Sequence, residues 1–238
     1  MRSQTSLVLL PGLLCDSAHW HAQVDDLADI ARAQVASYGQ LDSIEAMAQA
    51  VLSWAPKTFA LAGHSMGGRV ALEIFKRAPE RVARLALFCT DYRGHASEAD
   101  FRREAAEREK NLAMAREEGM EAFTRQWVRS VIAPSRLDDE ELIGAMVAMM
   151  ARQAMSVLAA QTLAGLRRGD YADLLPRIFC PTLVCAGEED TLRPVAGHRE
   201  MAARIPASRL VVIEGSGHMV AMERPQDVSN AMRQWILG

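Results

Sequence analysis

Residues 59–68 of the chain read Phe-Ala-Leu-Ala-Gly-His-Ser-Met-Gly-Gly, and a segment with helical spacing follows as far as Arg77. The apolar run at 59–62 predicts a buried strand, so the glycines surround an abrupt turn from strand into helix. Glycines two residues before and two residues after Ser65 leave room for this turn, which strains the residue at its corner. The segment predicts a nucleophilic serine presented to solvent. The alternative is a glycine-rich turn whose serine only caps the helix.

Apolar runs of strand length recur on both sides of this segment. They are Leu7–Leu10, Ala33–Tyr38, Leu85–Cys89, Thr182–Ala186 and Leu210–Ile213. Helical patterns lie between or after them at Asp42–Trp54, Gly67–Arg77 and Gln226–Leu237. Continuous apolar strands that alternate with helices predict an α/β fold with a mostly parallel sheet covered on both faces.

Residues 92–171 break the alternation, because they show helical periodicity and no strand pattern. We therefore predict a core formed by residues 1–91 and 172–238, with residues 92–171 inserted as a helical cap. Within the cap, the charged stretch Glu98–Glu118 predicts a solvent-exposed helix that stops at Gly119. The candidates for lining a substrate pocket are Trp127, Met146, Met149 and Met150. Packing of the cap on itself explains these four residues equally well.

A serine hydroxyl needs a base before it can attack at neutral pH. His218 is the preferred candidate, because it lies in a glycine-rich loop directly after the predicted strand Leu210–Ile213. That position puts it at the carboxyl edge of the sheet, where Ser65 also emerges. His64 adjoins Ser65, but adjacent side chains diverge at a tight turn, which favours a structural role. Surface positions are expected for His19, His21 and His198.

The base in turn needs a carboxylate to fix its tautomer and stabilise its cation. Asp190 follows the predicted strand Thr182–Ala186 and is the preferred acid, with Glu188 and Glu189 as possible substitutes. Asp91, after the strand Leu85–Cys89, is a separate competitor.

The reaction also needs donors for an oxyanion. The N–H of Met66, directly after the nucleophile, is one candidate, and the N–H of Leu13, after the first apolar run, is the other. Both donors belong to the main chain, so their side chains are free to vary.

Together these residues resemble the α/β-hydrolase superfamily, in particular its esterase and lactonase-like members, over nearly the whole chain. The order Ser65, Asp190, His218 is the superfamily's order. Residues 187–194 are similar to its acid loop, Gly-x-x-Asp-x-x-x-Pro, and residues 215–225 to its histidine loop, Gly-x-Gly-His-x-x-x-x-Glu-x-Pro. One departure is Pro11, which stands before Gly12 where many relatives have histidine.

Composition excludes several other classes of protein. The 238 residues include 27 Lys and Arg and 30 Asp and Glu, for a net charge of −3, so no basic excess points to a nucleic-acid partner. The four cysteines show no zinc spacing, and neither a Walker loop nor a dinucleotide fingerprint is visible. We expect no cofactor and no metal. The short apolar run near the N-terminus, Leu7–Leu10, predicts no signal peptide or membrane span, so a cytoplasmic protein without a membrane partner is expected.

The expected function is that of a serine hydrolase which cleaves carboxylic esters of small to medium, partly apolar substrates. A lactonase, thioesterase, C–C bond hydrolase, acyltransferase or perhydrolase would use the same triad. A receptor that holds a small molecule on a hydrolase scaffold is the alternative from another class. The oligomeric state is left open.

Overall fold

The computed structural model describes residues 4–238, which form six strands and ten α-helices. The strands are β1 (Thr5–Leu10), β2 (Ala31–Val35), β3 (Phe59–His64), β4 (Val82–Phe88), β5 (Thr182–Gly187) and β6 (Ser208–Ile213). The helices are α1 (His21–Asp26), α2 (Ile44–Trp54), α3 (Met66–Arg77), α4 (Glu98–Glu117), α5 (Met120–Val131), α6 (Glu140–Ala151), α7 (Met155–Leu166), α8 (Val195–Arg204), α9 (Val220–Glu223) and α10 (Pro225–Leu237).

All strand pairs are parallel, in the order β2-β1-β3-β4-β5-β6. Their carboxyl ends therefore lie along one edge of the sheet, and the loops after β1, β3, β5 and β6 meet there. The predicted α/β fold with a parallel sheet is confirmed. The second strand differs from its predicted range of 33–38: it covers Ala31–Val35, and Tyr38 is buried in the loop beyond it.

Alternation along the strands divides the core into two layers. In β1, Val8 and Leu10 pack on one face of the sheet with α2, α3 and α8, whereas Leu7 and Leu9 pack on the other with α10. Consecutive side chains of a strand point to opposite faces, so a strand covered on both faces must be apolar throughout. The edge strand β2 is covered less completely, and its residues alternate between buried and exposed positions.

Helices α4 to α7 lie between β4 and β5 in the chain, and we refer to residues 98–166 as the helical segment. Gly119, with a φ of 90°, separates α4 from α5, as the sequence predicted. The segment has its own apolar cluster, which Leu14 and Met219 from loops of the sheet edge complete. The N–H of Tyr171 donates to the carbonyl of Tyr92 at 2.8 Å, so the ends of the predicted cap lie side by side. The predicted division into core and cap remains a prediction.

Among residues 4–238, no single helix is long and apolar enough to cross a membrane. Helices α6 and α7 reach the required length and hydropathy only together, and a bend of 93° separates their axes.

Candidate active site

Ser65 lies at the corner between β3 and α3, in a conformation that side chains rarely adopt. Its φ is 52° and its ψ −114°, and its N–H donates to the carbonyl of Phe88 at 2.9 Å. The surrounding backbone is equally tight, because a Cβ on Gly67 would lie 2.2 Å from the carbonyl oxygen of Leu10. A Cβ on Gly63 would lie 2.3 Å from the carbonyl oxygen of Gly67. Only glycine fits at these two positions, which agrees with the strained turn that the sequence predicted.

Three predicted residues meet at the carboxyl edge of the sheet. His218 Nε2 lies 2.9 Å from Ser65 Oγ, and His218 Nδ1 lies 2.8 Å from Asp190 Oδ2. With Nδ1–H donating to the carboxylate, Nε2 is left to accept the hydroxyl proton. His218 and Asp190 are 1% and 4% exposed, so bulk water does not compete for this chain of hydrogen bonds. The arrangement can abstract a proton from Ser65 and hold the resulting imidazolium.

Asp190 is also held by its own loop. Its Oδ1 accepts from the N–H groups of Leu192 and Arg193 at 2.9 and 2.8 Å. Burial works against ionisation of Asp190, yet His218 and the backbone donors keep the pKa of its carboxyl below the usual value. The carboxyl group of Asp190 is therefore an anion at neutral pH.

The competing carboxylates accept hydrogen bonds from groups other than His218. Asp91 accepts from the backbone of Arg93 at 3.1 Å. Glu188 accepts from the N–H of Gly215 at 3.2 Å, and Glu189 accepts from Ser135. Asp190 is the carboxylate that contacts His218.

The loop that carries His218 is anchored by Glu223, a residue that the sequence analysis noted only as part of a motif. Its carboxylate accepts from the N–H groups of Gly217, Met219 and Ala133, each at 2.9 Å. Burial raises the pKa of this carboxyl, although the three N–H donors oppose the shift. Ala133 follows α5, so the same carboxylate joins the histidine loop to the helical segment.

His64 lies behind His218 in the direction of the core. Its Nε2 lies 2.8 Å from the carbonyl oxygen of His218, which fixes Nε2 as the protonated nitrogen of a neutral ring. Burial, followed by the neighbouring His19 and His218, lowers the pKa of His64 well below its usual value. This position agrees with the structural role expected for His64.

The expected surface position holds for His21 and is wrong for His19 and His198. The ring of His19 is 1% exposed and lies 4.3 Å from that of His64, centroid to centroid. Burial lowers the pKa of His19 to about 3. His198, also 1% exposed, accepts from the N–H of Thr90 at 3.1 Å through Nε2. Both rings fill gaps beneath the sheet edge, which helical periodicity alone does not reveal.

Two main-chain donors remain free next to Ser65. Among the hydrogen bonds of residues 4–238, the N–H groups of Leu13 and Met66 have no acceptor, and both residues line the cavity at Ser65. The N–H of Leu14 is already occupied, because it donates to Gln161 Oε1 at 2.8 Å. Free N–H groups at a helix start and in the opposing loop can stabilise an oxyanion on a substrate bound to Ser65.

A cavity of about 290 Å³ opens from Ser65 toward α4. Its lining includes five arginines and three carboxylates: Arg69, Arg103, Arg108, Arg168, Arg193, Asp100, Glu104 and Glu107. The α4 residues among them recur every three or four positions, which places them on one helix face. The expectation that the charged helix is wholly solvent-exposed is therefore wrong, since one of its charged faces forms a wall of the cavity.

The four substrate-binding candidates separate into two groups. Trp127 lines the cavity, as expected. Met146, Met149 and Met150 do not line it: they are at most 1% exposed and pack with Ile143 in the apolar cluster of the helical segment. The expectation for these three is corrected, because flexible methionines fill gaps in a core as readily as they line a pocket.

Among residues 4–238, one group of side chains brings possible metal-ligating atoms close together. Donor atoms of His64, Cys89 and His218 lie within 4.8 Å of one another. Both nitrogens of His218 already have partners, and burial raises the pKa of Cys89 well above its usual value. A protonated thiol is a poor ligand, so this donor set does not suit a cation.

A strained serine, a histidine and a carboxylate at the carboxyl edge of a parallel sheet form an arrangement that is typical of α/β hydrolases. The family whose description is alpha/beta hydrolase fold matches residues 10–225, and the chain belongs to it.

Individual relatives agree with this assignment. A pimeloyl-[acyl-carrier protein] methyl ester esterase of Nitrosomonas europaea is 25% identical over 236 residues, which cover 92% of this chain and 91% of that protein. The biotin biosynthesis bifunctional protein BioHC of Cellvibrio japonicus is also 25% identical, over 96% of this chain; the chain spans only 47% of its length. A thermophilic esterase from Thermogutta terrifontis, solved with malate bound, has a TM-score of 0.85 and 29% identity, covering 99% of this chain and 90% of that one.

Two arginines of the cavity were missed from the sequence. Arg69 lies one turn after Ser65 on α3, where residues 66–75 are all buried. A charged residue inside such a run was the available signal, since buried charges are rare unless they serve a partner. Arg193 lies three residues after Asp190 and carried no comparable signal.

Proposed function

We propose that the protein is a serine hydrolase that cleaves carboxylic esters of compact substrates through an acyl-enzyme on Ser65. The observation that carries this proposal is the hydrogen-bonded chain from Ser65 through His218 to Asp190, which opens on a cavity of about 290 Å³. In this proposal the helical segment acts as a cap that closes the cavity over a small-molecule substrate.

The first half of the reaction forms the acyl-enzyme. His218 Nε2 takes the proton of Ser65 as Oγ attacks the ester carbonyl carbon. The N–H groups of Leu13 and Met66 donate to the oxyanion of the tetrahedral intermediate. Asp190 holds the imidazolium. His218 then returns the proton to the leaving alcohol, and the acyl group stays on Ser65.

The second half releases the acid. A water molecule gives a proton to His218 Nε2 and attacks the acyl carbon, and collapse of the second tetrahedral intermediate returns the proton to Ser65 Oγ. Products are a carboxylic acid and an alcohol, and the enzyme is regenerated.

The relatives favour esters among the substrates that such a triad can use. Two of the three relatives described above are named esterases, and one of them is a methyl ester esterase. The charged lining changes the expectation of a partly apolar substrate, because buried ionic groups favour a polar ligand. The cavity volume is at the small end for ligand pockets, which favours a compact substrate.

Hydrolysis of a p-nitrophenyl ester series, from acetate to octanoate, tests the proposal. We expect turnover of the shorter esters, and a fall of about 10⁴-fold or more in kcat for Ser65→Ala without a change in thermal unfolding. The matched control is Ser53→Ala, an exposed serine on α2 whose hydroxyl donates to the carbonyl of Ala50.

Other outcomes would overturn the ester assignment. Undiminished turnover in Ser65→Ala would exclude the serine mechanism. Activity on lactones or thioesters alone, still dependent on Ser65, would keep the mechanism and change the substrate. A single slow turnover with tight retention of the ligand would favour the receptor.

A further inference from the structure

The charges that line the cavity are unevenly paired. Arg168 lies 2.7 Å from Glu104, Arg108 lies 3.3 Å from the same carboxylate, and Arg103 pairs with Asp100. Arg69 and Arg193 have no carboxylate of the lining within 4 Å among residues 4–238. The positive charge that the lining leaves unpaired therefore lies on Arg69, in the first turn of α3 after Ser65, and on Arg193, in the loop that carries Asp190.

The side chain of Arg69 is buried, and one of its two terminal nitrogens lacks a hydrogen-bond partner among residues 4–238. The residue is 5% exposed, and its Nη1 donates to the carbonyl of Arg93 at 2.9 Å. Its Nη2 has no hydrogen-bond partner among residues 4–238, and Asp91 Oδ2, at 3.9 Å, is beyond hydrogen-bonding distance. A buried guanidinium N–H without an acceptor is rare in folded proteins, so this group calls for an acceptor that binds from the cavity.

The guanidinium of Arg193 brings a second positive charge to the cavity that Arg69 lines. The backbone N–H of Arg193 donates to Asp190, and among residues 4–238 the carbonyl oxygen of Leu192, at 3.1 Å, is the one acceptor of its guanidinium. Burial, followed by repulsion from Arg168 and Arg193, lowers the pKa of Arg69 to about 9. Arg69, Arg168 and Arg193 line the same cavity, so their positive charges together favour an anion bound there.

We propose that Arg69 and Arg193 form a subsite for a carboxylate of the substrate, so that the enzyme acts on esters that carry a second, free carboxyl group. One anionic charge suits the subsite, because Asp91 already offsets part of the charge on Arg69. A planar carboxylate also matches the fork of an arginine. This inference rests on the proposed function for the reaction, but it concerns binding and has its own readout.

The kinetic test uses two esters of the same shape and different charge, monoethyl succinate and ethyl succinamate, with ethanol release as the readout. We expect kcat/KM to favour the anionic ester by on the order of 10- to 100-fold, the range of a charge-assisted hydrogen bond. Arg69→Met should abolish most of this preference, through a fall in kcat/KM for the anionic ester that exceeds any fall for the neutral ester by on the order of 10-fold. Arg193→Met should act in the same direction and tests the subsite if Arg69→Met does not fold.

The matched control is Arg102→Met. Arg102 lies on α4, is exposed and pairs with Glu98 outside the cavity, so the substitution removes the same charge from a position that the substrate does not reach. It should leave the preference between the two esters unchanged. A preference that falls equally in Arg102→Met would show a general field of the protein rather than a subsite.

Calorimetric titration of the Ser65→Ala protein separates this inference from the reaction. Succinate should bind, whereas succinamide and inorganic phosphate should bind at least about 10-fold more weakly, and Arg69→Met should abolish the succinate signal. Failure of succinate to bind, together with equal rates on the two esters, would overturn the carboxylate subsite. Succinate binding without hydrolysis of any ester would overturn the proposed reaction and leave the subsite in place. Tighter binding of phosphate would overturn the assignment to carboxylates.

Discussion

The sheet edge and the helical segment differ both in structure and in the chemistry of the groups that they present to the cavity. At the edge, short loops after β1, β3, β5 and β6 bring catalytic groups together with few degrees of freedom, and each group is fixed by backbone hydrogen bonds. In the helical segment, long helices pack through an apolar cluster on one side and present charges to the cavity on the other. In the proposed function, the edge supplies the groups that break the ester bond, and the edge and the segment together line the cavity that the substrate enters.

The two regions contact each other through the apolar side chains of Leu14 and Met219 and also through polar groups. Glu223 joins the histidine loop to Ala133, and Gln161 on α7 holds the N–H of Leu14 in the oxyanion loop. His218 N–H donates to the carbonyl of Val131 at the end of α5. A small movement of the helical segment would therefore shift the position of His218, because Val131 of the segment accepts from its N–H. The following predictions separate the roles of the two regions.

The largest effect should come from the carboxylate at the sheet edge. Asp190→Asn removes the acceptor that fixes the tautomer of His218 and should lower kcat by about 10⁴-fold. Asp91→Asn, the competing carboxylate, should lower kcat by less than about 10-fold, because Asp91 bonds to Arg93. Steady-state rates on a neutral ester check both. Equal losses in the two variants would contradict the assignment of Asp190.

The next effect concerns the apolar cluster of the helical segment. Met146→Ala should reduce the free energy of unfolding by about 2–5 kcal/mol, because Met146 is fully buried and truncation leaves a cavity. KM should stay within about 2-fold, since the side chain does not line the substrate cavity. Trp127→Ala should show the reverse pattern, with a raised KM and a smaller loss of stability. Denaturant unfolding and kinetics on both variants measure the difference.

A smaller effect is expected where the two regions join. Glu223→Gln keeps the shape of the side chain but leaves one oxygen to serve three buried N–H donors. We expect a loss of about 1–3 kcal/mol in unfolding free energy together with a lower kcat. Glu189→Gln alters a half-buried carboxylate that accepts from Ser135 and should change stability by less than about 0.5 kcal/mol. Unchanged kcat in Glu223→Gln would contradict its role in positioning His218.

The effect that is smallest at neutral pH comes from His19, which changes the stability only as the pH falls. Its pKa is about 3 in the folded protein and near 6.5 when unfolded, so the unfolded state binds the additional proton between these values. Stability should therefore be intact above pH 6.5 and should fall as the pH decreases toward 3, with a contribution of at most about 1.4 kcal/mol per pH unit from this group. His19→Asn should flatten the slope between pH 6.5 and 4.5. Parallel curves for the two proteins would show that His19 does not titrate on unfolding.

The sequence allowed the sheet edge to be predicted better than the helical segment, for a physical reason. Strand, turn and loop signals around Ser65, Asp190 and His218 are local, and parallel topology brings the carboxyl ends of strands together whatever the details of packing. The side chains of the three residues accordingly lie within hydrogen-bonding distance of one another.

The helical segment depends on information that periodicity does not carry. A polar helix face has the same sequence pattern whether it contacts water or lines a cavity. The charged face of α4 was therefore expected to be exposed to solvent. Met146 fits a core and a pocket equally well by composition. Arg69 could have been recognised from its place in a buried stretch, whereas its missing hydrogen-bond partner is visible only in three dimensions.

The central claim is that Ser65 is a nucleophile activated by His218, and labelling with a fluorophosphonate tests it most directly. Intact mass and peptide mapping should find one adduct, on the peptide that contains Ser65. The adduct should be absent in Ser65→Ala and should form much more slowly in Asp190→Asn, while Asp91→Asn reacts like the natural sequence. A label on another residue, or no label on a folded protein, would contradict the account.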